Sequence, residues 1–158
     1  MELFLMRHGE ASFDAPTDRQ RPLTEVGATQ CQQMAAHLAA NLTGLDMVFV
    51  SPYLRAQQSW RACQPLLPQP KGVQTLDELV PEGDPALCHD LVMAHMDLAQ
   101  AKTALVVAHM PLLGYLVSEW VPGETPPLFA TSAIAHLECR PNPRLLSLQG
   151  PRDLALVV

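Results

Sequence analysis

LVVAHMPLLGYLVSEW, residues 105–120, holds a whole strand-to-helix transition in one short stretch. Residues 105–108 are apolar without a polar break, as expected of a strand buried on both faces. Pro111 suits the first position of a helix, because its missing N–H would have had no intrahelical partner there. The pattern predicts a helix over 112–120, which the PGETPP loop must end. Between the two elements stands one titratable ring, His109.

The same unit recurs upstream. Residues 3–6 read as a strand that stops at Arg7, His8 and Gly9. Cys31, Met34, Ala35, Leu38 and Leu42 then recur at helical spacing, with Thr24 as N-cap. Residues 47–50 form a second strand. After it, Ser51-Pro52 pairs a capping hydroxyl with an N-terminal proline, predicting a helix over 52–66 with Arg55 in its first turn. A strand at 73–76 follows, and Asp84-Pro85 repeats the start signal ahead of a helix over 86–99. Further strands are expected at 134–137 and, more weakly, at 145–148. The last stretch reads as an edge strand and an irregular tail with no assigned function.

Strand and helix alternate, and the strands read as apolar on both faces. This predicts an α/β fold: a single three-layer domain over 1–158, with a mostly parallel central sheet and helices on both faces. The composition agrees, with 48% hydrophobic and 16% charged residues. A net charge of −6 argues against nucleic-acid binding, which needs many basic contacts. No stretch approaches the roughly 20 apolar residues of a membrane span. Cys31, Cys63, Cys88 and Cys139 form no CxxC pair, so the reading is four buried thiols in a cytoplasmic protein rather than a zinc site.

In parallel α/β sheets ligands collect beyond the carboxyl ends of the strands. Arg7, His8, Gly9 and Glu10 follow the first strand, Ser51 and Arg55 the second, and His109 the fourth. Each has a bland reading alone: a solvated strand end, a structural histidine, a turn glycine, an exposed helical arginine. Together they put two histidines and two arginines on one sheet edge, close to helix N-termini, as a phosphoryl group requires. A neutral imidazole is a good nucleophile, and neighbouring arginines disfavour its protonated form. The same arginines would stabilise an in-line transition state, and the scheme calls for neither metal nor cofactor.

MRHGEA, RPLTEVG, SPYLRAQQS, VVAHMPLLGYLV and PGETPPLFATSAIA, in this order, resemble the histidine phosphatase (phosphoglycerate-mutase-like) superfamily. The likeness is closer to its small bacterial branch, the SixA-type phosphohistidine phosphatases. The resemblance implies that His8 is the nucleophile and that Arg7, Arg55 and His109 complete the phosphate pocket. It also implies substrate contacts from Gly9, Arg21 and Ser132. Larger relatives carry a general acid on an inserted segment; here only Glu82 and Glu78, with Asp84, fall in the corresponding region. Imidazole leaves a phosphoramidate more easily than an alcohol leaves an ester, so a missing acid suits phosphohistidine. The implied substrate is a phosphorylated histidine phosphotransfer domain or phosphocarrier protein, met by a monomeric enzyme through an open pocket. The alternatives are a small-molecule phosphomonoester phosphatase using Glu82 or Glu78 as acid, and a non-catalytic phosphohistidine-binding module.

Overall fold

Residues 1–154 are described by the computed structural model. The elements run β1 (Glu2–Arg7), α1 (Glu25–Ala39), β2 (Met47–Val50), α2 (Leu54–Cys63), β3 (Gly72–Thr75), α3 (Pro85–Leu98), β4 (Thr103–Ala108), α4 (Leu112–Trp120), β5 (Ile134–Glu138) and β6 (Arg144–Gln149). They build one six-stranded sheet in the order β3-β2-β4-β1-β5-β6. β3, β2, β4 and β1 pair in parallel, whereas β5 and β6 are antiparallel additions at one side.

Side chains alternate across each strand, so each central strand feeds two cores. Leu3, Leu5, Phe49 and Val106 pack with Val92 and Met96 of α3 and Leu113 and Leu116 of α4. Phe4, Met6, Val48 and Val107 pack with Met34 and Leu38 of α1 and Trp60 of α2. Each such buried side chain contributes about 1.5–3 kcal/mol at most. The expected three layers are therefore present, α1 and α2 on one face, α3 and α4 on the other.

The direction of winding explains this division. From β1 the chain moves to β2 and then β3, towards one edge, and then reverses to β4. Right-handed crossovers in opposite directions must lie on opposite faces. β1 and β4 are neighbours whose following loops lead to different faces, and this opens a crevice at their carboxyl ends.

Three local expectations need correction. β3 is not apolar on both faces: as an edge strand it is mostly exposed, and burial resumes only at Leu76. The helix expected over 52–66 is α2 followed by a 3-10 turn, Gln64–Leu66, because Pro65 supplies no N–H to continue the α-helical ladder. Ser51 does not cap α2, whose N-cap is Tyr53; its hydroxyl is engaged elsewhere. By contrast, Thr24 accepts from Gly27 N–H, and Asp84 caps α3 through Ala86 and Leu87 N–H. The weaker C-terminal strand is β6; the tail expected beyond it falls partly in 155–158, outside the described residues. All four cysteines are free and buried. Among the described residues no helix is long and apolar enough to cross a membrane.

Candidate active site

Register brings the two histidines together. Arg7 lies opposite Ala108 in the β1–β4 pairing, so His8 and His109 are the next residues out on adjacent parallel strands. His8 N–H continues the ladder to the Ala108 carbonyl at 3.0 Å, and the two rings sit 5.1 Å apart, centroid to centroid. Val50 pairs with Val107, which leaves Ser51 level with Ala108, one residue short of His109, whose ring its hydroxyl reaches. On the other side, Ser132 N–H donates to the His8 carbonyl at 3.0 Å. His8 is thus held from both flanks.

The hydrogen bonds define its tautomer. The Gly9 carbonyl can only accept, so Nδ1 of His8, 2.7 Å away, carries the proton. Arg55 Nε–H can only donate, and it points at His8 Nε2 at 3.2 Å. Nε2 therefore presents a lone pair. Burial, aided by the charges of Arg55, Arg7 and Arg21, pushes the ring's pKa down to about 4 against the pull of the Gly9 carbonyl. The imidazole is neutral at pH 7.

His109 is also neutral. Burial, then His8, Arg55 and Arg7, push it down to about 2. Its Nε2 lies 2.6 Å from Ser51 Oγ, which itself accepts from Tyr53 N–H at 3.2 Å. A hydroxyl accepts twice, so this pair fits either tautomer; Ser51 donating to Nε2 puts the ring proton on Nδ1, on the far side of the ring. That Nδ1 is buried and has no partner among the described residues. Arg7 repeats the situation: one terminal nitrogen donates to the Phe129 carbonyl at 2.8 Å, while its Nε is buried and unpartnered. Orphaned buried donors are uncommon and costly, about 1–3 kcal/mol each, unless something fills them.

Arg55, in the first turn of α2, is held by Asp18 from the short 3-10 helix Asp18–Gln20. One terminal nitrogen reaches the Asp18 carbonyl at 2.7 Å and the other its carboxylate at 3.2 Å. Gly9 N–H donates to Ser59 Oγ at 2.9 Å. The glycine is needed for close packing, not for turning freedom: a Cβ there would lie 2.8 Å from the Gly27 carbonyl oxygen and 2.9 Å from Cys31 Sγ.

Arg7, His8, Arg55 and Arg21 line a pocket of about 350 Å³; His109, almost fully buried, and Gly9 are not among its lining residues. Glu10 lies in its wall, and Phe13, Met110 and Thr131 line it too. Arg21 is at the pocket as expected, but its nitrogens are already bonded to the Ser12 and Ala11 carbonyls and the Asp18 carboxylate. Ser132 is fully buried, its backbone in the left-handed region (φ 66°), with its hydroxyl 3.6 Å from Cys31 Sγ; it braces His8 while Thr131 faces the pocket. Glu82 lines a separate groove with Tyr115 and Pro85, and Glu78 is not among the residues lining the His8 pocket. The carboxylate that does line it is Glu10, whose Oε2 accepts from Thr24 Oγ1 at 2.7 Å. Asp18 and Ser59 carried no sequence signal, because each acts through long-range contact with Arg55 or Gly9.

Comparison with known proteins places the chain in a family. A family model described as the histidine phosphatase superfamily (branch 1) matches residues 3–80. The chain is 44% identical over 137 residues to the phosphohistidine phosphatase SixA of Escherichia coli (strain K12), covering 87% of this chain and 84% of that protein. The chain belongs to the histidine phosphatase superfamily. As a member it is a phosphatase, a hydrolase. It is also 32% identical over 144 residues to a SixA homolog from Haemophilus influenzae (strain ATCC 51907 / DSM 11121 / KW20 / Rd), covering 87% of each. A solved structure of the protein histidine phosphatase SixA complexed with tungstate superposes with a TM-score of 0.90 at 40% identity, covering 98% of this chain and 99% of that one. Solved structures of other phosphatases share the fold at lower identity.

Proposed function

We propose that the protein is a phosphohistidine phosphatase that works through a covalent phospho-His8 intermediate, on a phosphorylated histidine phosphotransfer domain or phosphocarrier protein. The observation that carries this reading is the unprotonated Nε2 of His8, which accepts only from Arg55 Nε–H, together with two buried nitrogens of neighbouring site residues that lack partners, Arg7 Nε and His109 Nδ1. A phosphoryl group satisfies both donors and presents its phosphorus to the lone pair. The relative complexed with tungstate, a tetrahedral oxyanion, points the same way.

In the first step Nε2 attacks phosphorus in line, the P–N bond to the partner's imidazole breaks, and that imidazole leaves with the bonding pair. Arg7, Arg55 and His109 meet the charge on the equatorial oxygens. Arg55 Nε–H, which guards Nε2 in the free protein, turns to a phosphoryl oxygen. Water then attacks phospho-His8, releasing inorganic phosphate and restoring Nε2. Gly9 holds the proton on Nδ1 throughout and so keeps the reacting nitrogen fixed.

Phosphohistidine is favoured over phosphoesters because Glu82 and Glu78 do not line the pocket, and the carboxylate that does, Glu10, is engaged by Thr24 Oγ1–H, so the reading gives no residue the role of acid towards an alkoxide. A reacting lone pair in place also argues against a pure binding module. Four reduced, buried thiols fit a reducing cytoplasm, and we take the working unit to be a monomer. The test is competition. Given equal concentrations of a phosphotransfer domain phosphorylated on histidine and of p-nitrophenyl phosphate, the enzyme should clear the protein phosphate first. Faster turnover of the ester would overturn the reading.

A further inference from the structure

Among the described residues three large apolar side chains are more than four-fifths exposed; two of them are Phe13 (84%), which lines the His8 pocket, and Leu128 (85%), next in sequence to the Phe129 whose carbonyl holds Arg7. Met110, immediately after His109, lines the mouth from a third loop. Leaving such side chains in water forgoes burial energy, and grouped apolar exposure around a pocket marks a contact surface.

The rim is also held in place. The Arg21 guanidinium lies 3.9 Å from the centre of the Phe13 ring, and its nitrogens are bonded to Ser12, Ala11 and Asp18. A cation fixed at one face leaves the other face of the ring presented to solvent. The Leu128 segment is packed as closely: a Cβ on Gly114 would come within 2.7 Å of the Pro127 carbonyl oxygen. Little ordering remains to be done when a partner arrives.

We propose that Phe13, Met110 and Leu128 form a docking rim for a folded protein whose phosphohistidine is surrounded by apolar surface. This rests on the phosphohistidine reading and names the surface that reading requires. Charge and shape select the occupant. Three arginines lie inside the mouth and the apolar groups lie around it, so the matching surface carries one dianion at its centre and apolar side chains about it. A second copy of this chain does not match, because its own His8 is 6% exposed at the floor of a pocket and cannot project into another.

The test uses Leu128→Ser alone and with Phe13→Ser, against a histidine phosphotransfer domain phosphorylated with phosphoramidate and against phosphoramidate itself. The double variant should raise KM for the protein about tenfold, equivalent to ~1.4 kcal/mol. For Leu128→Ser alone, which leaves every residue lining the pocket intact, kcat and phosphoramidate hydrolysis should be unchanged. An unchanged protein KM, or an equal loss on both substrates, would overturn the rim. So would a wild-type dimer in solution that Leu128→Ser converts to monomer, since the rim would then be self-associating. If the wild type dephosphorylates phosphoramidate but not the protein, the substrate reading fails before the rim is tested by mutation, and the rim fails with it.

Discussion

Replacing His8 with Asn should remove a defined part of the protein's acid sensitivity. The unfolded histidine titrates near 6.5, whereas in the fold the ring is held down at about 4. Between those values the unfolded chain binds a proton that the folded chain refuses, so stability falls as pH drops below about 6.5. The loss levels off below about pH 4. The gap between the two values, at ~1.4 kcal/mol per pH unit, makes the contribution about 3 kcal/mol by pH 4. His109 adds a slope of its own in both proteins, so the difference between them is the readout. Urea unfolding from pH 7 to 4 should show the wild type losing about 3 kcal/mol more than His8→Asn. Ring-proton NMR should place the His8 titration near pH 4. Equal losses in the two proteins, or a His8 midpoint near 6.5, would refute the claim that the ring is buried and neutral.

Ser51→Ala leaves His109 Nε2 buried without its partner; a net hydrogen bond is worth about 1 kcal/mol, so kcat should fall roughly fivefold with little change in protein KM, as steady-state kinetics would show. Gly9→Ala forces a methyl into the Gly27 carbonyl and Cys31 Sγ and should cost about 1–3 kcal/mol in chemical denaturation. Asp18→Asn removes the anion that shares Arg55 and Arg21 with the substrate. Inhibition by orthophosphate should tighten a few-fold, and stability should change by under ~1 kcal/mol, because the Asp18 side chain is 57% exposed. Weaker phosphate binding would mean instead that Asp18 is needed to aim Arg55.

Much of the architecture was legible from the chain because its signals are local. Uninterrupted apolar runs, proline starts and two side-chain caps, Thr24 and Asp84, are written in neighbouring residues, and each marks an element that forms. Ser51 misled because a cap signature and a hydrogen-bond partner for His109 use the same hydroxyl, and only the β2–β4 register reveals the second use. β3 misled for a related reason: an edge position depends on sheet order, which no single strand encodes. In the site, His8, Arg55 and His109 could be read because each directly follows a strand or opens the next helix. The roles of the carboxylates could not. Glu82 and Glu78 were expected from their place in the chain, while Glu10 is the acid in the pocket wall and Asp18 the one that holds Arg55.

The central claim is that the phosphoryl group passes through His8 Nε2. Rapid mixing with a labelled, histidine-phosphorylated phosphotransfer domain, followed by an alkaline quench and peptide mapping, tests it most directly. The account predicts an acid-labile, base-stable phosphoryl group on the peptide containing His8, formed at least as fast as phosphate is released and absent in His8→Asn. Full turnover with no label on that peptide, or activity retained in His8→Asn, would contradict it.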